Sequence, residues 1–360
     1  MVAPENPPLQ RRRVGLRRVG VVVATIVLAG LLAFALSRLN LGRIGHALIT
    51  ATPGWIVLAL VLMALSLLLR SVSWHQTLRA ALPETPIPWA PVVRATMIGV
   101  MASALLPGRI GEPTRVFVLT RRLEGPTRRQ LPVVAGTVFS QTLINLLALG
   151  VLVAVTFTSV PLFQGHQAGI VTALAVPLAV CALVVLGPRL LALGRRSPSV
   201  RVALAANAIG RLLHLARRGL VVFARPRYGV TAIAAQLLAW ALQWVACYAV
   251  VLALGLQSHA SLLTAAAILL AVNLSAILPA TPSNVGVFQA ACLVVLAAYG
   301  VGAGAGLAYG IILQAVEVLT ALALGVPALL REGLRWQDIR RGERRSAGQG
   351  AERLEDVPEG

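Results

Sequence analysis

Apolar segments long enough to cross a bilayer constrain the fold of this chain more than any other feature. The chain has 360 residues, of which 58% are hydrophobic and only 12% are charged, against about 25% charged in a typical soluble domain. A membrane hydrocarbon core about 30 Å thick takes about 20 helical residues to cross. We therefore predict an all-α polytopic membrane protein with about six spans. They lie at roughly 19–37, 54–70, 131–157, 168–192, 229–255 and 305–330.

The placement of arginine predicts the orientation of these spans. The chain contains no lysine, and its arginines concentrate in 1–18, in 193–228 and after residue 330, whereas 158–167 carries no charge. Arginine-rich loops stay cytoplasmic, so we expect a multi-pass protein of the inner (cytoplasmic) membrane with both termini in the cytoplasm. Residues 200–226 are predicted to form an amphipathic interfacial helix or a plain connector. The polar tail, 331–360, is predicted to be disordered.

Two shorter apolar regions, about 90–120 and 260–300, do not fit this scheme as single spans. Each lies between two spans whose near ends are predicted on the same side of the membrane, so each has to enter and leave by one face. Both contain an S-A-[LI]-L-P run. We predict two oppositely oriented re-entrant helical hairpins within a transmembrane domain at 19–330, arranged as an inverted repeat. Such repeats place substrate sites near the bilayer midplane. The alternative is that the S-A-[LI]-L-P run occurs twice by coincidence in a chain rich in alanine and leucine.

The first hairpin is charged and the second is not. Arg109, Glu112 and Arg115 lie within seven positions of one another. Guanidinium groups bind phosphate oxygens in a bidentate manner, and a helix beginning near Pro113 would present an anion-binding N-terminus. Two compatible interpretations follow. Either the two arginines bind a lipid phosphate and Glu112 orients them, or all three residues form a structural triad that closes the hairpin.

Further polar residues lie inside the predicted spans. Glu317 is predicted to pair with an arginine of the first hairpin, to relay a proton, or to make an ordinary interhelical hydrogen bond. Gln141 and Asn145 are amides of the kind that fix helix packing. The sequence contains no metal-ligand spacing, hydrolase triad, P-loop or dinucleotide fingerprint. We therefore expect no enzyme activity, cofactor or metal, and an ATP-driven pump is excluded for this chain alone.

Three stretches resemble the lysylphosphatidylglycerol synthase transmembrane region, a flippase-like family of membrane proteins. LPGRIGEPTR at 106–115 is similar to the family pattern L-P-x-R-x-G-E-x-x-R. PATPSNVGVFQ at 279–289 is similar to P-x-x-P-G-G-x-G-x-x-E, and RSVSWHQTLRA at 70–80 is similar to an arginine- and tryptophan-containing stretch after an early span. The resemblance covers roughly 40–330.

The second motif also departs from the family pattern. Two family glycines are replaced by Ser283 and Asn284, and the family glutamate by Gln289. A polar stretch with acids in the middle span appears here with Gln141 and Asn145. Whether the loss of these acids abolishes transport stays open from the sequence. The residues expected to line the second half of the cavity are Pro279, Pro282, Ser283, Asn284, Gly286 and Gln289.

The resemblance implies a flippase-like protein that moves a lipid head group between leaflets, either an anionic phospholipid or a polyprenyl-phosphate-linked lipid. The alternative is a non-transporting accessory or scaffold subunit in the assembly of envelope lipid or glycan. The expected partners are membrane lipids with anionic head groups, together with a second copy of the chain or an envelope-biogenesis enzyme, and not nucleic acid. About thirty polar residues follow the last span, so we expect no soluble synthase domain.

Overall fold

The computed structural model describes residues 51–105, 111–123, 127–159, 221–276 and 285–332, and within these ranges the secondary structure is helical, with no strand. The helices are α1 Pro53–Ala81, α2 Trp89–Leu105, α3 Gly111–Thr120, α4 Thr127–Ser159, α5 Val221–Ala224, α6 Pro226–Ala253, α7 Leu262–Ser275, α8 Val287–Ala298 and α9 Ala303–Glu332.

Four of these helices, α1, α4, α6 and α9, are long and apolar enough to cross a membrane. They contain 29, 33, 28 and 30 residues. The multi-pass character of the chain is therefore confirmed, and four of the six predicted spans coincide with these helices. The other two, 19–37 and 168–192, lie outside the described residues. So do 1–18, most of 200–226, and the tail beyond residue 332.

The two predicted hairpin regions each contain a pair of short helices. At about 1.5 Å per residue, the 17 residues of α2, 14 of α7 and 12 of α8 are too short to cross a hydrocarbon core of about 30 Å. Helix α2 packs against α3, and α7 packs against α8. The residues that join each pair, 106–110 and 277–284, lie outside the described part of the chain.

The α2–α3 contact is close because both helices carry a glycine at the crossing. A Cβ atom at Gly111 would lie 2.0 Å from Oγ of Ser103 and 2.1 Å from the carbonyl oxygen of Gly99. A Cβ atom at Gly99 would in turn lie 2.9 Å from the carbonyl oxygen of Gly111. The two backbones therefore pack at a separation that only glycine permits.

The packing of the second half of the chain repeats that of the first. In the first half, α1 packs against α2, α2 against α3, α3 against α4, and α4 against α1. The same four contacts join α6, α7, α8 and α9 in the second half. The last helix of each half also packs against the other half: α4 packs against α6 and α7, and α9 packs against α1 and α2. Helices α1 and α6 pack extensively against each other, joining the halves.

Helices α1 and α6 run antiparallel. The amide of Thr52, just before α1, donates to the carbonyl of Ala253 at the end of α6 at 2.8 Å. At the other end, the guanidinium of Arg79 lies 5.5 Å from the ring centroid of Tyr228. The two helices that correspond to each other in the repeated packing therefore point in opposite directions.

The two larger of the three apolar cores in the described part of the chain lie toward opposite ends of the bundle. Along α1, Met63 belongs to one core and Leu67 and Trp74 to the other. Helix α4 divides in the same way, with Ala148 in the first core and Val134 in the second. Helix α9 divides likewise. Arg70, Gln141 and Glu317 lie on these long helices near the boundary between the cores, which is where the candidate site is found.

Candidate functional site

Arg115 of α3 is the central residue of the polar layer between the two cores. It is only 8% exposed, although its side chain carries a full charge. Its Nη1 atom donates to Oε1 of Gln141 in α4 at 2.6 Å. Its guanidinium carbon lies 4.8 Å from the ring centroid of Trp74 in α1. Arg115 therefore ties the short helix α3 to two of the long helices.

Trp74 is itself fixed by the first half of the bundle. Its side chain is fully buried, and its Nε1 atom donates to Oγ1 of Thr137 in α4 at 3.1 Å. The ring is thus held in place under the guanidinium of Arg115. A desolvated cation over an indole ring contributes about 2 kcal/mol, so Trp74 contributes to keeping Arg115 charged and buried.

Glu112 also interacts with Arg115, but from a more open position. Its carboxylate forms an ion pair with Nη2 of Arg115 from one turn earlier in α3. The Glu112 side chain is 52% exposed, whereas that of Arg115 is 10% exposed. The structure therefore brings together two of the three predicted charged residues, and Arg109 lies outside the described residues. The Nε atom of Arg115 is buried without a hydrogen-bond partner.

A second arginine, Arg70, joins the two halves of the bundle. Its Nη2 atom donates to Oε1 of Gln243 in α6 at 2.6 Å. Its backbone carbonyl accepts from Nε2 of Gln141 at 3.0 Å, so Arg70 and Arg115 share Gln141 as a neighbour. The Nε atom of Arg70 also has no hydrogen-bond partner. The side chain is half-buried although it faces α4 and α6.

The second half contains an uncharged counterpart of the Arg115–Gln141 contact. Gln289, at the start of α8, donates through Nε2 to Oε1 of Gln314 in α9. The Oε1 atom of Gln289 accepts from the amide of Gly286 at 2.6 Å, which caps the N-terminus of α8. Gly286 has a φ of +90°, which favours glycine. In both halves the third helix therefore contacts the fourth through a polar residue in its first two turns.

Asn145 connects α4 to α6 in the same layer. Its Oδ1 atom accepts from Nε2 of Gln236 and from Nε1 of Trp240, both at 2.9 Å. Both donors come from α6, so this amide fixes the packing of the two spans. The interpretation of Asn145 as a packing residue is consistent with these contacts.

Glu317 lies in the middle of α9, among the same group of long helices. Its side chain is half-buried. The basic side chain that interacts with it electrostatically is Arg70. An arginine of the first hairpin was one of three partners or roles predicted for Glu317, whereas Arg70 belongs to α1 and stood out in the sequence only as part of a motif. Arg70, Trp74 and Gln243 were missed as site residues because their partners lie on helices distant in the sequence.

Of the predicted second-hairpin residues, Gly286 and Gln289 are positioned as described above. Pro279, Pro282, Ser283 and Asn284 lie outside the described residues. Where the structure describes the chain, no group of three or more histidine, cysteine, aspartate or glutamate side chains is placed to hold a metal ion.

A separate ion-pair cluster lies at one end of the bundle, away from the polar layer. The carboxylate of Glu332, at the end of α9, accepts from Nε of Arg94 at 2.5 Å and from Nε of Arg122 at 2.6 Å. Its side chain is only 2% exposed. Arg94 belongs to α2 and Arg122 follows α3, so this cluster ties the first hairpin region to the last helix.

Two comparisons with known proteins bear on the site. The model of the family described as "Lysylphosphatidylglycerol synthase TM region" matches residues 19–325. This range contains every residue of the polar layer. A search of the curated proteins found no match.

Proposed function

The chain belongs to the lysylphosphatidylglycerol synthase TM region family, and from this premise we propose that it is a flippase-like lipid transporter. Its cargo is a lipid whose head group carries an anionic phosphate, either a phospholipid or a polyprenyl-phosphate-linked lipid. The family and the multi-pass helical fold support a role in lipid or envelope processes. The transport activity and the cargo are our proposal.

The observation that carries this proposal is the buried position of Arg115. An ionisable residue at membrane depth is costly and marks a substrate or ion pathway. Arg115 keeps one buried nitrogen, Nε, without a hydrogen-bond partner, and so does Arg70 of the same layer. Two guanidinium groups with donors to spare suit a phosphate, whose oxygens accept several charge-assisted hydrogen bonds.

In this proposal, the carboxylate of Glu112 and the lipid phosphate exchange places at the guanidinium of Arg115. Because its carboxylate is exposed, it regains hydration when it leaves Arg115, and the nitrogen that it releases is available to a phosphate oxygen. The start of α3 lies at the same place, and helix N-termini favour anions. We propose that Arg109 and Arg115 hold the phosphate and that Glu112 occupies the guanidinium of Arg115 when no lipid is bound.

The repeated packing supports a route across the membrane. The antiparallel arrangement of α1 and α6, with equivalent neighbours around each, is what an inverted-topology repeat would produce. We propose that α2–α3 and α7–α8 are re-entrant hairpins that enter an inner membrane from opposite faces. Pro279, Pro282, Ser283, Asn284, Gly286 and Gln289 would then line the uncharged half of the path.

Lipid transfer in reconstituted vesicles tests this proposal. Purified protein is placed in vesicles that contain a fluorescent phospholipid, and transfer between leaflets is followed by chemical quenching of the outer leaflet. We expect transfer by the natural protein, its loss in Arg109→Ala, and near-natural rates in Arg121→Ala. Arg121 is the matched control, since it is exposed. Natural rates in Arg109→Ala would exclude the proposed role of Arg109. No transfer of any lipid by the natural protein would favour the accessory-subunit alternative.

A further inference from the structure

Glu317 is an acid at the centre of a span and has no direct partner in the described structure. It lies midway along the 30 residues of α9, in a helix apolar enough to cross a membrane. The side chain is half-buried. Among the described residues, it forms no hydrogen bond and no ion pair. The other acids that the structure describes are Glu84 in a loop, Glu112 beside Arg115, and Glu332 with its two arginines.

The groups that face Glu317 come from several neighbouring helices. Arg70 of α1 is its basic neighbour. The other titratable side chains within electrostatic range of its carboxylate are Cys247 of α6, Cys292 of α8 and Tyr309 of α9 itself. On α2, the remaining helix packed against α9, the charged group is Arg94, which is bound to Glu332 at the far end. Arg70 is therefore the charged group that responds to the state of Glu317.

Arg70 is held on one side only. Its Nη2 atom donates to Gln243, while Nε has no partner. It is within electrostatic range of Glu317 and of Arg115, yet it forms no ion pair with Glu317. The attraction between opposite charges is strong at low dielectric, so a movement of the flexible Arg70 side chain toward α9 would exchange Gln243 for Glu317.

We propose that Glu317 is a proton-binding site that controls the position of Arg70. With Glu317 protonated and neutral, Arg70 stays on Gln243 and adds its charge to the phosphate site beside Arg115. When the carboxylic acid releases its proton, the resulting carboxylate attracts Arg70 and withdraws that charge. Because Arg70 and Gln243 join α1 to α6, the exchange also reaches the contact between the two halves.

A proton fits this position better than a metal cation. A sodium or calcium ion is bound by several oxygen ligands, and Glu317 is the only acid at this level in the part of the chain that the structure describes. The nearby guanidinium of Arg70 would also repel a metal ion. Proton binding needs only the one carboxyl group.

This inference rests on the proposed function for its role in transport, but proton binding is measured without transport. The protein in lipid nanodiscs is titrated between acidic and alkaline pH and followed by infrared difference spectroscopy in the carbonyl region of protonated carboxyl groups. Because the other carboxyl groups also titrate, we look for one component of this band, which we expect to be present in the natural protein and in Glu84→Gln, lost in Glu317→Gln and returned, shifted, in Glu317→Asp. A band that persists unchanged in Glu317→Gln would overturn the proposal.

The transport arm uses the same variants in vesicles with a pH difference across the membrane. We expect the pH difference to change the initial rate of the natural protein about tenfold, a typical coupling effect, and to leave Glu317→Gln unaffected while it still transfers lipid. Dependence on a sodium gradient, or a Glu317→Gln variant that still responds to pH, would overturn the coupling. If no protein transfers lipid but the infrared band behaves as expected, the proposed function fails and the proton site stands.

Discussion

The sequence predicted individual polar residues in the apolar segments better than any other part of the site. Arg115, Gln141, Gln289 and Glu317 stand out because charges and amides are costly in a membrane and need partners there. Which residues serve as those partners depends on how the helices pack. The contact of Arg115 with Trp74 joins positions 41 residues apart in the numbering, and no local pattern indicates it.

The first prediction concerns Arg115. We expect Arg115→Ala to lower the free energy of unfolding by about 2 kcal/mol, because it removes a buried cation over the Trp74 ring and the hydrogen bond to Gln141. The measurement is unfolding in mixed detergent micelles. Arg121→Ala is the control, since Arg121 is exposed and lies 5.5 Å from the ring of Phe117. We expect its effect to be below about 1 kcal/mol, and equal losses would contradict the assignment.

A second prediction concerns Gln289. In Gln289→Leu the amide of Gly286 loses its acceptor and Gln314 loses the donor that joins α8 to α9. We expect a loss of about 1–3 kcal/mol in unfolding free energy, the cost of leaving buried polar groups unsatisfied. The same change at Gln257, which is exposed in the turn before α7, should have little effect in the same unfolding assay. A silent Gln289→Leu variant would show that this contact is not needed.

At the level of elements, the length of the apolar segments predicted the four long helices well. It did not predict which helices contact one another. Segments 54–70, 131–157, 229–255 and 305–330 correspond to α1, α4, α6 and α9, though α1 continues eleven residues further, to Ala81. That extension contains Trp74, which packs under the guanidinium of Arg115, so it carries part of the site. The extension was missed because its polar residues, which face other helices, lower the apolar signal.

The glycine crossing of α2 and α3 gives a third prediction. Gly111→Ala should lower the unfolding free energy by about 1–3 kcal/mol, the usual cost of overpacking, because the added methyl group meets the backbone of Gly99. Gly54→Ala is the control, since a Cβ atom there has nothing within 4 Å and alanine favours helix. The stability of both variants is compared by thermal unfolding. If Gly111→Ala were as stable as Gly54→Ala, the close crossing would be excluded.

For the whole molecule, the arrangement of two equivalent halves was expected from topology, and the packing is consistent with it. The sequence carries only a short echo of this arrangement, the S-A-[LI]-L-P run in each half. What remains alike is which helix packs on which. The contact of Arg115 with Gln141 in the first half corresponds to the uncharged contact of Gln289 with Gln314 in the second half. This correspondence is visible only from the packing of the helices.

A fourth prediction tests the orientation of these halves. Single cysteines are placed at Glu84, in the turn between α1 and α2, and at Gln257, in the turn between α6 and α7, in a chain whose own cysteines are replaced by alanine. Because α1 and α6 are antiparallel, we expect a membrane-impermeant maleimide to label Glu84→Cys only from the cytoplasmic side and Gln257→Cys only from the opposite side. Labelling of both positions from the same face would rule out the inverted repeat.

The cluster around Glu332 has a consequence for how the protein is made. Arg94 and Arg122 leave the ribosome long before Glu332 does, and during that interval both arginines and the apolar face of α2 lack the helix that covers them. We therefore expect the early helices to reach their final packing only after α9 is synthesised. A chain that ends before α9 would leave this surface uncovered, and we expect it to be degraded faster than the full chain.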